Sequence, residues 1–192
     1  YALNNQDFKR IVSTASITIG ERYLANHNKL LRMCEGCVGV KTGFTKAAGR
    51  TLVSAAAREG MTLVCVTLND PDDWRDHMAL LDYGFANYHM ETVLPAGRVA
   101  ASVLVRGGTL TTVPLAADRD LRYPLTGEER LTVVARVPVS VEAPVVPGQV
   151  LGEACAYLDG AEVARVDLVA VDPSAQREVE PEPPSLFARL FQ

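Results

Sequence analysis

The chain has 192 residues, with 19 Lys and Arg against 23 Asp and Glu, a net charge of −4 and 48% hydrophobic residues. That length supplies one sizeable core or two small ones. The acidic balance argues against a broad electrostatic grip on nucleic acid, the high apolar content argues against global disorder, and no apolar run approaches the roughly 20 residues of a membrane-spanning helix.

The chain opens on Tyr1-Ala2-Leu3-Asn4-Asn5, not on Met, as expected of a processed protein or of part of a longer product. Residues 1–30 read as mixed, with a helix end around Asp7–Val12 and a polar approach at Asn26-His27-Asn28. Cys34-Glu35-Gly36-Cys37 is a C-x-x-C, the half-signature of a zinc or redox site. Zinc needs two further ligands, and no second C-x-x-C or H-x-x-x-H occurs; His27, His77 and His89 are scattered. No metal is therefore expected. Cys65, inside an apolar run, reads as a small core residue.

Three extended segments follow at short spacing, Val38–Phe44, Arg50–Ala57 and the β-branched Thr62–Leu68, with Arg58-Glu59-Gly60 as a hairpin turn between the last two. Asp70-Pro71-Asp72-Asp73 reads as a helix start, with a capping Asp and Pro at the first helical position. Trp74, Met78, Leu81, Phe85 and Tyr88 step by four and three, giving one apolar side of a helix of about 18 residues packed on something flat.

From Glu91 the texture changes. Val99–Arg106 and Thr109–Pro114 flank Gly107-Gly108, Leu131–Val137 is another strand, and Val150–Leu158 and Glu162–Val171 flank the hairpin signal Asp159-Gly160. Short strands separated by Pro and Gly predict a small all-β domain beginning near 89–92. It carries no acid/base pair or nucleophile in a recognisable setting, which suits a structural or docking module. The chain closes with a Pro/Glu spacer, 178–184, and Ser185-Leu186-Phe187-Ala188-Arg189-Leu190-Phe191-Gln192. Leu186, Phe187, Leu190 and Phe191 would share one side of a short helix, either a tail docked on its own protein or the start of a membrane-surface anchor.

The stretch that carries chemistry is Gly39-Val40-Lys41-Thr42-Gly43-Phe44-Thr45. At a sheet edge Gly43 lets another backbone approach closely, Lys41 supplies a cation, Thr42 a hydroxyl, and a backbone N–H beyond Gly43 can face a developing oxyanion. On spacing alone, a solvated lysine beside a turn explains it as well.

With its surroundings the sequence resembles the D-alanyl-D-alanine carboxypeptidases of the low-molecular-mass penicillin-binding type. The resemblance runs nearly end to end, through Phe8-Lys9-Arg10-Ile11-Val12-Ser13-Thr14, Asn26-His27-Asn28-Lys29-Leu30-Leu31, Gly39–Thr45, Ala48-Gly49, Asp73-Trp74, Asp76-His77 and Leu80-Leu81-Asp82-Tyr83-Gly84-Phe85. It implies an α+β fold. Residues 1–89 would be the C-terminal part of a β-lactamase/transpeptidase-like domain of antiparallel sheet and helices. Residues 90–172 would be a small all-β sandwich, and 173–192 the spacer and the start of an amphipathic anchor.

The family's site combines S-x-x-K, S-x-N and K-T-G. Only the third is present. None of the seven serines (Ser13, Ser16, Ser54, Ser102, Ser140, Ser174 and Ser185) has Lys three residues on or Asn two residues on. Both absent motifs precede K-T-G in the family, so the chain looks like the C-terminal portion of a longer enzyme, inactive alone. Its sheet should then lack strands and leave apolar surface uncovered.

By position the resemblance implies that Lys41 belongs to the polar cluster tuning proton transfer and the backbone N–H of Phe44 is an oxyanion donor. Thr42, Gly43 and Thr45 would bind substrate, with the Thr42 hydroxyl on the terminal carboxylate. Some relatives place an Arg on the helix side for that carboxylate; Arg75 lies near the place, although its spacing to Tyr83-Gly84-Phe85 departs from the pattern. His77 fits as a structural residue. The implied partners are D-Ala-D-Ala stem peptides of peptidoglycan, β-lactams and, peripherally, the outer face of the bacterial cytoplasmic membrane. No metal or organic cofactor is implied. Such a location would permit a Cys34–Cys37 disulfide, against which the strain of so short a loop weighs. A non-catalytic envelope module and, less well supported, a β-lactamase are the alternatives.

Overall fold

The computed structural model describes residues 1–177. The closing amphipathic segment expected at 185–192 and the spacer before it lie outside the described residues. The chain divides into two compact units: 1–91 with 124–129, and 92–123 with 130 onward.

In the first unit, helix α1 (Gln6–Ser13) begins where the Asn5 side chain accepts a hydrogen bond from the Phe8 N–H at 3.0 Å, a capped start with Asp7 in the first turn. A hairpin follows, β1 (Ser16–Ile19) and β2 (Arg22–Ala25), turning at Gly20 with φ 59°. This hairpin is absent from the sequence reading, because its four-residue strands are too short to display a period and are exposed along their whole length. The short helix α2 (Leu30–Met33) buries Leu30.

The expected strand triplet is present as an antiparallel meander, β3 (Cys37–Thr45), β4 (Gly49–Arg58) and β5 (Met61–Leu68), in that spatial order. Glu59 and Gly60, with φ of 48° and 81°, make the tight β4–β5 turn, the left-handed pair that matches strand twist. The register sets Lys41 opposite Val53 and Val53 opposite Val66, while Thr42 lies opposite Leu52 and Phe44 opposite Arg50. Alternation therefore puts Thr42, Phe44, Arg50, Leu52 and Ser54 on one face, and Lys41, Gly43 and Val53 on the other.

Helix α3 (Asp73–Asn87) covers the first of these faces. It starts later than expected. The Asp70 side chain accepts from the Asp72 N–H at 3.0 Å, closing a turn that contains Pro71 and leaving Asp72 as the N-cap. The helix has 15 residues, not about 18, and Tyr88 falls just past its end. Trp74, Met78, Leu81 and Phe85 form the inward side as predicted, with Leu81 fully buried. The polar residues Asp73 and His77 share that buried side.

The second unit is β-rich. A six-stranded sheet runs in the order β10-β12-β13-β8-β7-β11. Its strands are β7 (Val99–Arg106), β8 (Thr112–Ala117), β10 (Thr132–Arg136), β11 (Ser140–Glu142), β12 (Val150–Leu158) and β13 (Ala161–Ala170). Strands β6 (His89–Leu94) and β9 (Leu121–Leu125), whose residues are divided between the two units, form a separate two-stranded ribbon. Asp159 and Gly160, at φ 50° and 83°, make the β12–β13 turn as their sequence predicts.

Strand β8 begins at Thr112, not at 109, because residues 107–111 form a loop. The buried Ser174 holds that loop, its hydroxyl accepting from the Leu110 N–H at 3.1 Å and donating to the Leu110 C=O at 3.0 Å. Val103, Val113, Leu115, Leu121, Val166 and Leu168 are the centre of the core. Each such side chain contributes about 1.5–3 kcal/mol when fully buried. The whole is α+β: a region of helices and antiparallel sheet, then a β-rich module.

Candidate active site

All five residues singled out by the sequence, Lys41, Thr42, Gly43, Phe44 and Thr45, lie at the C-terminal end of β3 and line one cleft of about 760 Å³. Strand β3 is an edge strand among the described residues, paired only with β4, so its outer backbone groups are open to another chain. Helix α1 packs close to its start. A Cβ on Gly39 would fall 2.7 Å from Val12 Cγ2, so only glycine lets β3 sit this near the helix. A Cβ on Gly43 would overlap the Thr51 hydroxyl, which explains the glycine of the K-T-G triplet on this chain's own packing.

Lys41 Nζ donates to the Thr42 carbonyl. The Thr45 hydroxyl accepts from the Ala48 N–H at 2.9 Å, so in this structure it closes the β3–β4 turn. Phe44 is exposed at the cleft mouth. Three more basic side chains, His27, Lys29 and Arg50, line the same cleft; the only acid there is Asp73, among the described residues. The cleft is therefore suited to an anion.

Asp73 and Arg50 form the polar anchor of the cleft. Arg50 Nη2 donates to Asp73 Oδ1 at 2.6 Å, with the Asp73 side chain only 4% exposed and that of Arg50 39% exposed. The guanidinium also lies over the Trp74 ring, 5.3 Å from its centroid. The hydrogen bond from Arg50 to Asp73 raises an already high arginine pKa further. Sequence reasoning passed over this pair: Arg50 read as a strand residue and Asp73 as an acid of the first helical turn. The signal available was the strand–helix spacing, which brings β4 and the start of α3 together.

Arg75 is elsewhere. It bridges Asp72 at 2.9 Å and Asp76 at 3.7 Å, and it is not among the residues of the cleft wall. Ser54 and His77 look like a nucleophile and its base, with Ser54 Oγ 2.6 Å from His77 Nδ1, but both are fully buried beneath α3. The Thr67 hydroxyl lies 3.0 Å from His77 Nε2. This is a structural junction out of reach of a peptide. Burial lowers the His77 pKa, with Asp73, Asp70 and Asp76 opposing more weakly.

Cys34 and Cys37 are both free and half-buried, and burial raises the Cys37 thiol pKa. No cluster of His, Cys, Asp and Glu that could hold a metal ion occurs among the described residues. Among the same residues no helix is long and apolar enough to cross a membrane.

Residues 4–72 match the family model described as D-alanyl-D-alanine carboxypeptidase, and residues 88–173 match that of the penicillin-binding protein 5 C-terminal domain. The chain carries a partial D-alanyl-D-alanine carboxypeptidase region followed by a penicillin-binding protein 5-like C-terminal domain. It is 32% identical over 167 residues to D-alanyl-D-alanine carboxypeptidase DacA of Haemophilus influenzae, covering 83% of this chain and 42% of that protein. Against DacF of Bacillus subtilis the identity is 26% over 163 residues, covering 81% of this chain and 40% of that protein.

Among solved structures, penicillin-binding protein 5 of Haemophilus influenzae aligns with a TM-score of 0.62 at 27% identity, over 88% of this chain and 52% of that one. A peptidoglycan synthesis regulatory factor (PBP3) of Streptococcus pneumoniae shares the fold, with a TM-score of 0.75 at 19% identity over 88% of this chain and 53% of that one. The chain spans less than half the length of the DacA and DacF proteins and about half of the two solved chains.

Proposed function

We propose that this chain is the K-T-G-bearing part of a serine-type D-Ala-D-Ala carboxypeptidase that trims peptidoglycan stem peptides and binds β-lactams outside the cytoplasmic membrane. The observation that carries the reading is the Lys41-Thr42-Gly43 triplet at an open strand edge, beside a basic cleft, inside the region that matches the carboxypeptidase family.

The reaction has two halves. A serine hydroxyl, supplied by an S-x-x-K absent from these 192 residues, attacks the carbonyl of the penultimate D-alanine. An ester C–O bond forms, the peptide C–N bond breaks, and the last D-alanine leaves as an amine carrying the serine's proton. Water then hydrolyses the ester and restores the serine. In this scheme Lys41 tunes the proton transfers, and Thr42 hydrogen-bonds the terminal carboxylate. Gly43 keeps the strand open to the peptide backbone, Thr45 contributes to substrate binding, and the Phe44 N–H stabilises the oxyanion. The closing segment with Leu186, Phe187, Leu190 and Phe191 would add a peripheral membrane contact.

Intact mass after incubation with benzylpenicillin tests the chain as it stands. No adduct is expected, and a stoichiometric adduct would place the nucleophile on one of the seven serines and overturn the assignment. For the longer protein, the coding sequence upstream should supply S-x-x-K and S-x-N, and its product should release D-alanine from a D-Ala-D-Ala peptide. Lys41→Ala should then reduce the rate about 10²–10⁴-fold, the range for removing a proton-transfer group. A full-length product with both motifs that leaves the peptide intact would refute the activity.

A further inference from the structure

We infer that Cys34 and Cys37 are a thiol–disulfide exchange site, closing to a disulfide across the turn that leads into β3, with a low-molecular-mass disulfide as co-reactant. The site lies before the start of the strand, away from the cleft at its C-terminal end, and is independent of the carboxypeptidase reading.

Turn geometry brings the two residues together. Cys34 ends α2, and the Cys37 N–H donates to the Cys34 carbonyl at 3.2 Å, closing a β-turn over Glu35 and Gly36. Gly36, at φ 71°, supplies the left-handed residue of that turn, and its carbonyl accepts from the Ala57 N–H at 2.9 Å. A β-turn keeps the Cα atoms of its first and fourth residues within about 7 Å, and disulfides span about 4.4–6.8 Å between Cα atoms. On sequence alone the shortness of the loop weighs against a bridge. In the fold, the backbone reversal that so small a ring needs is already made and is pinned to β4.

The surroundings give the two sulfurs different parts. Arg58 Nη2 donates to Cys34 Sγ at 3.7 Å and Arg58 Nε to the Glu35 carbonyl at 3.1 Å, which fixes the guanidinium beside this sulfur. The Cys34 thiol in turn faces the Glu35 carbonyl at 3.7 Å. A cation there stabilises the negative charge that a sulfur carries as it attacks or leaves. Cys37 Sγ instead donates to the Gly39 carbonyl at 3.4 Å. Burial holds its pKa up, and a negative charge on Cys34 pushes it further the same way. Cys34 is therefore the entering sulfur and Cys37 the resolving one. Of the other cysteines, Cys155 is fully buried and Cys65 lies mid-strand in β5.

The exchange balances in two steps. The Cys34 thiolate attacks one sulfur of the small disulfide, a new Sγ–S bond forms, the old S–S bond breaks, and one small thiolate leaves. The Cys37 thiolate then attacks Cys34 Sγ, forming the Cys34–Cys37 bond and expelling the second small thiolate. The protein loses two electrons and two protons, and the small disulfide gains both to become two thiols. Excess small thiol drives the same steps backwards.

The test is equilibration of the 192-residue chain with mixtures of glutathione and glutathione disulfide, then acid quench, alkylation under denaturing conditions and peptide mass mapping. The folded chain should lose two hydrogens, with Cys34 joined to Cys37 and with Cys65 and Cys155 alkylated. The equilibrium constant for closing the bridge should exceed that of the same chain in concentrated guanidinium chloride about tenfold, the order of the closure entropy of so short a loop. Cys37→Ser should stop at a glutathione adduct on Cys34, and Cys34→Ser should form its adduct on Cys37 several-fold more slowly. Arg58→Gln should slow the first step in the folded chain alone. The comparison of folded and unfolded wild type needs no substitution, so it stands even if a variant does not fold.

An equilibrium constant no larger in the folded chain than in the unfolded one would show that the turn opposes the bridge, and would overturn the site. So would a Cys34 and Cys37 that stay reduced, or that stop at mixed disulfides, across the whole range of mixtures. Adducts formed equally fast on Cys34 and Cys37 in the single variants, or a first step indifferent to Arg58→Gln, would overturn the assignment of Cys34 as the entering sulfur.

Discussion

One imidazole joins α3 to two strands: His77 Nδ1 lies 2.6 Å from Ser54 Oγ on β4, and Nε2 lies 3.0 Å from Thr67 Oγ1 on β5. In the neutral ring one nitrogen donates and the other accepts, so each hydroxyl has a defined role. A second ring proton would force the donating hydroxyl to turn and accept, taking its own proton away from the ring. Burial accordingly holds the His77 pKa below its ordinary value.

The sign of the pH effect follows. A lowered folded-state pKa means that the unfolded chain takes up the proton first. The contribution of His77 is therefore complete above the ordinary histidine value of about 6.5, and is lost as pH falls below it towards the lowered folded value. Denaturant midpoints measured from pH 7.5 down to pH 5 should fall for the wild type, and the part of that fall due to His77 should vanish in His77→Gln. Parallel pH curves for the two proteins would count against this assignment.

Gly36 is expected to be among the least replaceable residues of the first unit. It has φ 71°, and a Cβ there would overlap the Ala57 carbonyl oxygen, a backbone atom that cannot swing aside. Gly36→Ala should cost about 3 kcal/mol, combining left-handed strain with overlap. Gly20→Ala, at φ 59° with open space around it, isolates the strain alone and should cost about 1 kcal/mol. Equal losses in thermal or denaturant unfolding would show that overlap at Gly36 is relieved.

Arg58 gathers three parts of the first unit. Its Nη1 donates to Asp82 at 3.0 Å and its Nε to the Glu35 carbonyl at 3.1 Å, and its guanidinium lies 4.5 Å from the Phe85 ring centroid. Arg58→Ala should destabilise by roughly 1–2 kcal/mol, with the loss of packing and of a carbonyl partner outweighing the exposed ion pair. Asp82→Ala, which removes only that ion pair, should cost under about 1 kcal/mol.

Strand β5, an edge strand among the described residues, exposes Val64, Val66 and Leu68 on the sheet face that α3 leaves uncovered, and no charged residue occurs from Met61 to Leu68. An unguarded apolar edge of this kind pairs with another strand. The 192-residue chain should self-associate at micromolar concentration in sedimentation velocity. Val64→Lys with Val66→Lys should shift it towards monomer without altering its far-UV circular dichroism. A monomeric wild type with a sharp two-state melt would contradict this, and would weaken the view that a larger sheet is incomplete here.

Much of the architecture was legible in the sequence for local reasons. Glu59-Gly60 and Asp159-Gly160 fixed their hairpins because left-handed pairs are chemically marked, and the Trp74-Met78-Leu81-Phe85 side of α3 showed as period. The start of α3 did not, since Asp70 and Asp72 are both good caps and only the Asp70 turn decides between them. The K-T-G segment was visible as a motif. The Arg50–Asp73 pair was not, because its members are 23 residues apart and nothing local marks either as a partner. Of the predicted roles for Lys41, Thr42, Gly43, Phe44 and Thr45, the geometry brings the residues to one cleft and leaves their chemistry to the experiments above.

The meander β3-β4-β5 pairs each strand with its neighbour in sequence, whereas the second unit must bring β8 to β13 and β7 to β11 across long intervening stretches. Short loops close at little entropic cost, and long ones close later. The strand that bears Lys41-Thr42-Gly43 should therefore acquire its register early in folding, on the strength of the two strands after it. Those of its amides that pair with β4 would be among the first to gain protection in pulse-labelled hydrogen exchange, before β8 meets β13 and β7 meets β11.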